Sequence, residues 1–489
     1  MSLSAAPGKS HSLAATHALP CYVAGKPVGE DAPRLEVRNP YHGEVVGEVL
    51  QAQRHDLEAA ITAALTGGGG QPLTRSQRYD ILMRAHDKLK EDRESFAALI
   101  CSESGLCMRE TRYEVGRALD VLRFSAIEAL RDDGQIFSGD VSPQGKARKI
   151  FTVREPLRLA AAITPFNHPL NQVAHKVAPA IAAGTPIILK PSDKTPLTAI
   201  RFTELLYEAG LPPWMLSVLV GDIAGVIEPL ICDERVELVS FTGSVAIGKH
   251  ISRIAGYKKL CLELGGNSPL IILDDADMEL ALSLAAEGSY RNSGQRCTAV
   301  KRILVHEKII GEFTRRFVEK SREYTCGDPT DEATRVGTVI SEAAAAGLQR
   351  VVDDAVTHGA RVLLGGKHEG ALMPPTVIAD VPRHVEMVVC ESFGPLAPIM
   401  AIKDVDDAIA LANGTAYGLS TGVVTQSIDA AIRIIKSVRT GTVNINEIPG
   451  YRIESSPFGG VKDSGLGVKE GVIEAMRVMS YVKTFSLPW

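Results

Sequence analysis

The sequence predicts an α/β protein with two parallel sheets, each flanked by helices, and a small β extension. Three observations predict it. From residue 157 onward, short apolar runs alternate with helical patterns, which is how a parallel sheet covered on both faces is encoded. The same rhythm starts again at Pro269-Leu-Ile-Ile-Leu273 and continues through 301–306. At 489 residues the chain exceeds what one ordinary core supports, so two or three domains are expected.

Taken in order, residues 1–19 are rich in Ser, Ala and His and lack a continuous apolar run, which predicts a flexible N-terminus and no secretory leader. Residues 20–50 alternate in short bursts, as in Tyr22-Val23 and Val45-Val-Gly-Glu-Val-Leu50, and read as a small antiparallel unit. Helical periodicity covers 56–130, broken by four consecutive glycines at 67–70. Within it Val115, Leu119, Leu122 and Ala126 share one stripe, so that face is expected to be buried. The segment 136–153 reads as an extended hairpin standing away from the body.

The strands of the first parallel sheet are expected at 159–163, 186–189, 216–220, 236–241 and 260–264. Helices at 175–183, 199–209, 224–232 and 245–254 belong between and around them. The last stretch, 478–487, has β character without an obvious partner, and pairing with another subunit would satisfy it.

Composition excludes several classes. A formal net charge of −5 argues against a general nucleic-acid binder. No apolar run approaches bilayer length, so no membrane partner is expected. The eight cysteines show no paired spacing, no CxxC and no metal-ligand cluster, which reads as reduced thiols in the cytoplasm with no metal site.

The chemistry centres on Asn292-Ser-Gly-Gln-Arg-Cys-Thr298. A lone cysteine is usually buried and inert. Here Arg296 precedes Cys297, and a neighbouring cation lowers a thiol pKa toward the reactive thiolate. Phe166-Asn-His-Pro169 and Glu263-Leu-Gly-Gly266 each end a strand-like run and add an amide donor and a carboxylate. Nucleophile, donor and carboxylate together are what acyl chemistry on a carbonyl needs. Cys297 falls in the second α/β round, so the site is expected in a cleft between domains.

No GxGxxG follows a strand. Phe241-Thr-Gly-Ser-Val-Ala-Ile-Gly248 is the candidate phosphate turn, in which Gly243 permits a tight bend and a helix N-terminus follows. An ordinary strand-to-helix turn has the same form. Lys190 and Asp193, after a parallel strand, suit a ribose diol, and an acidic residue there favours NAD over NADP. Asp193 also fits a plain turn ahead of Pro196.

Seven motifs then stand in order: Phe166-Asn-His-Pro169, Lys190-Pro-Ser192, Phe241-Thr-Gly-Ser244, Glu263-Leu-Gly-Gly266, Gly294-Gln-Arg-Cys297, Glu391-Ser-Phe-Gly-Pro395 and Ser456-Pro-Phe-Gly-Gly460. Together they resemble the NAD(P)-dependent aldehyde dehydrogenase superfamily from about residue 20 to the C-terminus. The resemblance implies a Rossmann-like NAD-binding domain over 20–133 and 155–265 and a catalytic domain over 266–470. It also implies an oligomerisation domain over 134–154 and 471–489, assembled as a homodimer or homotetramer. It makes Cys297 the nucleophile, Glu263 the general base and Asn167 the oxyanion donor. It assigns NAD to Thr164, Pro165, Phe166, Lys190, Ser192, Asp193, Gly225, Thr242, Gly243, Ser244, Leu264, Glu391 and Phe393.

The departures from the family pattern concern the substrate. Arg117, His168, Arg296 and Arg452, with Thr298 and Phe458, stand where apolar or aromatic pocket residues are common, and His175, Asn171 and Gln172 add further polarity. Several cations aimed at one cleft call for an anion, and guanidinium forks suit phosphonate, phosphate and carboxylate oxygens. Arg117 could instead pair with Asp120 one turn on. The substrate is therefore expected to be an anionic aldehyde. Asp193 with His168 is similar to the bacterial phosphonoacetaldehyde dehydrogenases, which implies oxidation of phosphonoacetaldehyde to phosphonoacetate. Gly294-Gln-Arg-Cys-Thr-Ala-Val-Lys-Arg302 is similar to the non-phosphorylating glyceraldehyde-3-phosphate dehydrogenases, and succinic semialdehyde is a third possibility.

Overall fold

The computed structural model describes residues 18–70 and 72–489. Two seven-stranded sheets carry most of the chain. In the first, Lys259–Glu263, Leu238–Thr242, Ala160–Ile163, Ile187–Lys190 and Leu216–Val218 lie side by side and parallel. Their residues are mostly apolar and buried, as strands covered on both faces must be. Helices Asn171–Ala183, Leu197–Glu208 and Val245–Ile254 connect them. The helix expected at 224–232 is a π turn, Ile223–Ile227, running into a short helix Glu228–Cys232. Pro229 has no N–H to close the bond to Gly225, and the register widens there.

Residues 20–50 do not form a unit of their own. Tyr22–Val23 and Lys26–Pro27 make a hairpin that extends the first sheet antiparallel to Leu216–Val218. Arg34–Arg38 and Val45–Leu50 pair with each other and take Leu19–Pro20 as a parallel third strand. Cys21 explains the split, because its buried sulfur accepts the Val220 N–H at 3.0 Å and ties this turn into the main core. Leu19 is thus paired with Val49, not flexible; the rest of the expected flexible terminus, 1–17, lies outside the described residues.

Four helices, Arg54–Thr66, Arg75–Glu91, Arg93–Ser104 and Met108–Ala129, supply the predicted helical layer. Val115, Leu122 and Ala126 are fully buried, with Leu119 packed against the same core. The second sheet places Thr376–Ala379, Leu396–Ile402, Val300–His306, Ser268–Ile272, Ser420–Val424 and Thr442–Ile445 in parallel order, with Arg361–Leu364 antiparallel at one edge.

The C-terminal strand Ser480–Pro488, for which the sequence showed no partner, finds one within the chain. It runs antiparallel along all of Arg148–Pro156, from Ser480 opposite Pro156 to Pro488 opposite Arg148. Phe151 and Phe485 stack at 5.3 Å and fix that register. Ile136–Ser138 adds the third strand. The outer edge of Ser480–Pro488 stays open among the described residues, with Val482, Phe485 and Leu487 exposed.

Candidate active site

The helix Met278–Tyr290 ends in a 3₁₀ turn, Arg291–Gly294, that leads to Cys297. Asn292, Ser293 and Gly294 have φ of 55°, 51° and 68°, three left-handed residues in succession. Only glycine adopts this freely; each of the other two costs about 1–2 kcal/mol. The third must be glycine, because a Cβ on Gly294 would lie 2.2 Å from the Gly394 carbonyl oxygen. Surrounding bonds hold the turn in place. Asn292 Nδ2 donates to the carbonyls of Asn167 at 3.0 Å and Gln295 at 3.3 Å. Gln295 Oε1 accepts the Ile340 N–H at 2.9 Å.

The three residues singled out for chemistry converge on this turn. Asn167, in the loop after Ala160–Ile163, donates through Nδ2 to the Gln295 carbonyl at 2.8 Å. A Cβ on Gly266 would meet the Cys297 carbonyl oxygen at 2.2 Å, so the turn after Glu263 lies against the nucleophile's backbone. Glu263 is buried, and neither carboxylate oxygen has a hydrogen-bond partner among the described residues. Burial, then the Glu470 carboxylate, pushes the Glu263 carboxyl well above its ordinary range.

One expectation is outweighed. Burial pushes the Cys297 thiol up to about 12, with Glu391 adding to the shift, while Arg452 and Arg296 act in the expected, lowering direction. Arg296 is turned to the backbone, its Nη2 donating to the carbonyls of Glu287 at 3.2 Å and Gly288 at 2.9 Å.

Arg117, His168, Arg296, Thr298, Arg452 and Phe458 all line one cavity of about 390 Å³ with Cys297. Their charges are not equally free. Arg117 is chelated by Glu454, Nε to Oε1 and Nη2 to Oε2 at 3.2 Å, while Asp120 pairs with Arg123. Arg291 pairs with Glu110 at 3.2 Å and lies over the Tyr113 ring. Arg452 lies 4.0 Å over the Phe458 ring and 3.9 Å from Glu454. Arg452 Nη1 and Arg296 Nε are buried without a hydrogen-bond partner among the described residues. Burial, then Arg117, pushes His168 well below its ordinary range, so it stands as a neutral imidazole.

Five further charged groups escaped the sequence reading. Glu454 also accepts from His175 Nε2, at 2.5 Å. Lys176 donates to Ser240 Oγ at 2.8 Å and pairs with Glu470, both fully buried beside Glu263. Glu114 caps the helix carrying His175, accepting the N–H groups of Leu170 at 2.8 Å and Asn171 at 2.9 Å. Lys301 ties the Gly294 carbonyl to the loop of Glu391 and Phe393 through the Gly394 carbonyl. A lysine inside the otherwise apolar 173–183 stretch was the one local signal available.

The expected cofactor residues cluster at the carboxyl ends of the first sheet's strands, where ligands of such sheets bind. Thr164 and Thr242 follow and end neighbouring strands, and both hydroxyls are buried without a hydrogen-bond partner among the described residues. Lys190 Nζ pairs with Asp193 at 2.7 Å, and Asp193 remains half exposed. Ser192 Oγ accepts the Lys194 N–H at 3.2 Å. Ser244 caps the ten-residue helix Val245–Ile254, whose free N–H groups suit a pyrophosphate. Gly243 is needed for space rather than for its bend, since a Cβ would meet the Phe241 ring at 2.5 Å and its φ is not positive. Gly225 donates its N–H to Asp222 at 2.7 Å, and Leu264 packs where Gly248 leaves room. Glu391 accepts the Gly266 N–H at 3.0 Å, and Phe393 meets Phe166 edge-on at 5.9 Å, just beyond Pro165. Orphaned hydroxyls, a helix N-terminus and a carboxylate–ammonium pair along one row of strand ends fit a dinucleotide.

Residues 28–485 match the aldehyde dehydrogenase family. The 3-sulfolactaldehyde dehydrogenase of Priestia aryabhattai is 38% identical over 449 residues, 92% of this chain and 94% of that protein. The sulfoacetaldehyde dehydrogenase of Neptuniibacter caesariensis is 37% identical over 447 residues, 91% of this chain and 98% of that protein. The crystal structure of aldehyde dehydrogenase 21 from Physcomitrella patens, in complex with the reaction product succinate, superposes with a TM-score of 0.93 at 35% identity, over 96% of this chain and 98% of that one. By sequence and by fold, the chain belongs to the aldehyde dehydrogenase family and is an enzyme that oxidises aldehydes with NAD(P).

Proposed function

We propose that this enzyme oxidises a short anionic aldehyde to its acid, with phosphonoacetaldehyde as the substrate and phosphonoacetate as the product. The observation carrying this is the pair of arginines, Arg296 and Arg452, that line the cavity of Cys297, each with one buried N–H, Arg296 Nε and Arg452 Nη1, left without a hydrogen-bond partner among the described residues. An unpaired buried donor is costly, and an anionic head group would satisfy both. A phosphonate, close to dianionic near neutral pH, matches two guanidinium groups, of which only Arg452 has a carboxylate nearby, Glu454 at 3.9 Å, better than a single charge does. His168, Thr298 and Phe458 complete the pocket, with Arg117 held behind it.

In this reading Cys297 Sγ adds to the carbonyl carbon, and Asn167 Nδ2 with the Cys297 N–H receives the oxygen's new charge. NAD, when bound, supplies the hydride acceptor. Cys297 keeps the acyl group as a thioester until water attacks, and Glu263 takes the water's proton. A carboxyl raised by burial is the stronger base once ionised.

The domain division follows from the same reading: 20–133 and 155–265 bind NAD, 266–470 carry the chemistry, and 134–154 with 471–489 join subunits. The open edge of Ser480–Pro488 supports a homodimer or homotetramer. Free thiols at all eight cysteines support a cytoplasmic location.

A second reading is favoured by the relatives' names: a sulfonate aldehyde would use the same donors with one charge less. The test compares kcat/KM for phosphonoacetaldehyde, sulfoacetaldehyde, glyceraldehyde 3-phosphate, succinic semialdehyde and propanal. A hundredfold lead for phosphonoacetaldehyde, about 2.7 kcal/mol of transition-state binding, is the expected result. A lead for sulfoacetaldehyde would move the assignment to sulfonates.

A further inference from the structure

We propose that Glu454 is the resident counter-charge that lets an arginine-lined pocket release its product. The inference rests on the anionic substrate proposed above.

The oxidation changes the charge of whatever occupies the cavity. The aldehyde's C–H bond gives its electron pair to NAD, water supplies the new oxygen, and two protons leave. The product is a carboxylate, one charge more negative than its aldehyde. A pocket built from guanidinium groups alone would therefore hold product more tightly than substrate, and release limits turnover in many enzymes. The cavity is lined by Arg117, Arg291, Arg296 and Arg452 and also by Glu110, Glu114, Glu287 and Glu447. Arg291 is neutralised locally by Glu110.

Glu454 acts on two of the other three. It is buried, takes both of its bonds to Arg117 from the fork that a bidentate anion would use, and stands 3.9 Å from Arg452. It also receives His175 Nε2. Three separate parts of the wall, the helices Met108–Ala129 and Asn171–Ala183 and the loop after Tyr451, are joined through this one carboxylate. Its geometry leaves Arg452 Nη1 free for one head group while keeping Arg117 engaged and closed to a second anionic group. Glu454 acts through the two arginines and is a positioning residue that sets which charge the pocket tolerates.

The experiment measures calorimetric binding of phosphonoacetate and propanoate to the cofactor-free enzyme, as wild type, Glu454→Gln and the double variant Arg117→Met/Glu454→Gln. The expected result is that Glu454→Gln binds phosphonoacetate at least about tenfold more tightly, with propanoate unchanged, and that adding Arg117→Met removes the gain. Steady-state kinetics should agree, with a lower KM for phosphonoacetaldehyde, a lower kcat and stronger inhibition by phosphonoacetate. A merely structural ion pair would weaken both ligands together. Unchanged or weaker phosphonoacetate binding, or a gain that survives Arg117→Met, overturns the proposal. Wild-type protein gives an independent reading should the variants not fold. Phosphonoacetate should bind it several-fold more weakly than ethylphosphonate, which lacks the added carboxylate, and tighter binding overturns the proposal. A wild-type enzyme with no preference for phosphonoacetaldehyde over propanal removes the substrate reading and this one together. An enzyme with that preference whose Glu454→Gln variant gains nothing overturns the role of Glu454 alone.

Discussion

At the cofactor end, Thr164, Lys190, Asp193, Thr242 and Ser244 each end a parallel strand or follow it within three residues. At the substrate end, Arg117, His175, Arg296 and Arg452 come from two helices and two loops, and a carboxylate hundreds of residues from Arg117 joins three of them, Arg117, His175 and Arg452. The first arrangement is local: strand, turn and helix place the groups wherever the sheet forms. The second exists only once the whole chain has packed. One end is half exposed, with Asp193 in reach of solvent, and the other is more enclosed, with His175 and Glu454 buried, where charges are strong and unpaired donors are expensive. Changes at the buried end should therefore have the larger effects.

The largest concerns the nucleophile. With burial holding the thiol at about 12, alkylation of Cys297 in NAD-free enzyme should climb about tenfold per pH unit from 7 to 10, about a thousandfold in all. The sign follows from protonation: the neutral thiol prevails below 12, and only the rare thiolate reacts. A rate that levels off by pH 9 would show an ordinary thiol and place the cations of the cavity in control. Next, Asn167→Ala should lower kcat by about 10²–10³ with little change in KM for aldehyde. A loss confined to KM would show that Asn167 only braces the Gln295 carbonyl. Third, Arg452→Met should cut kcat/KM for phosphonoacetaldehyde by about 10–100-fold relative to propanal, the worth of one charged hydrogen bond. Equal losses on both would mean that this arginine only packs on Phe458. At the exposed end, Asp193→Asn should shift kcat/KM toward NADP by about tenfold, roughly 1.4 kcal/mol of relieved repulsion. A larger shift there than at Arg452 would invert the comparison.

The same contrast explains what the sequence disclosed. The strands of the first sheet and the helix Val245–Ile254 follow from periodicity, a property of neighbours in the chain, whereas the six pocket residues around Cys297 were legible only through the family resemblance. Ser480–Pro488 showed no partner in the sequence because that partner is the distant Arg148–Pro156, and a strand carries no local mark of which edge it will meet. Glu454 stood in a loop beside Arg452 with nothing to distinguish it from a solvated charge. Its role needed Arg117 and His175 to be within bonding distance. Arg296 was read by adjacency to Cys297, yet its side chain turns back to the carbonyls of Glu287 and Gly288.

The left-handed run before the nucleophile has a consequence for engineering. Ser293 holds φ at 51° and buries a hydroxyl with no hydrogen-bond partner among the described residues, so it is penalised twice in the folded state. Ser293→Gly removes both penalties, less the extra freedom glycine gives the unfolded chain, and should raise stability by about 1 kcal/mol, read as a higher Tm. The same change lets the turn wander between catalytic cycles. A heat-tolerant variant found by screening for survival alone would then be a slower enzyme, and a screen for turnover would restore the serine.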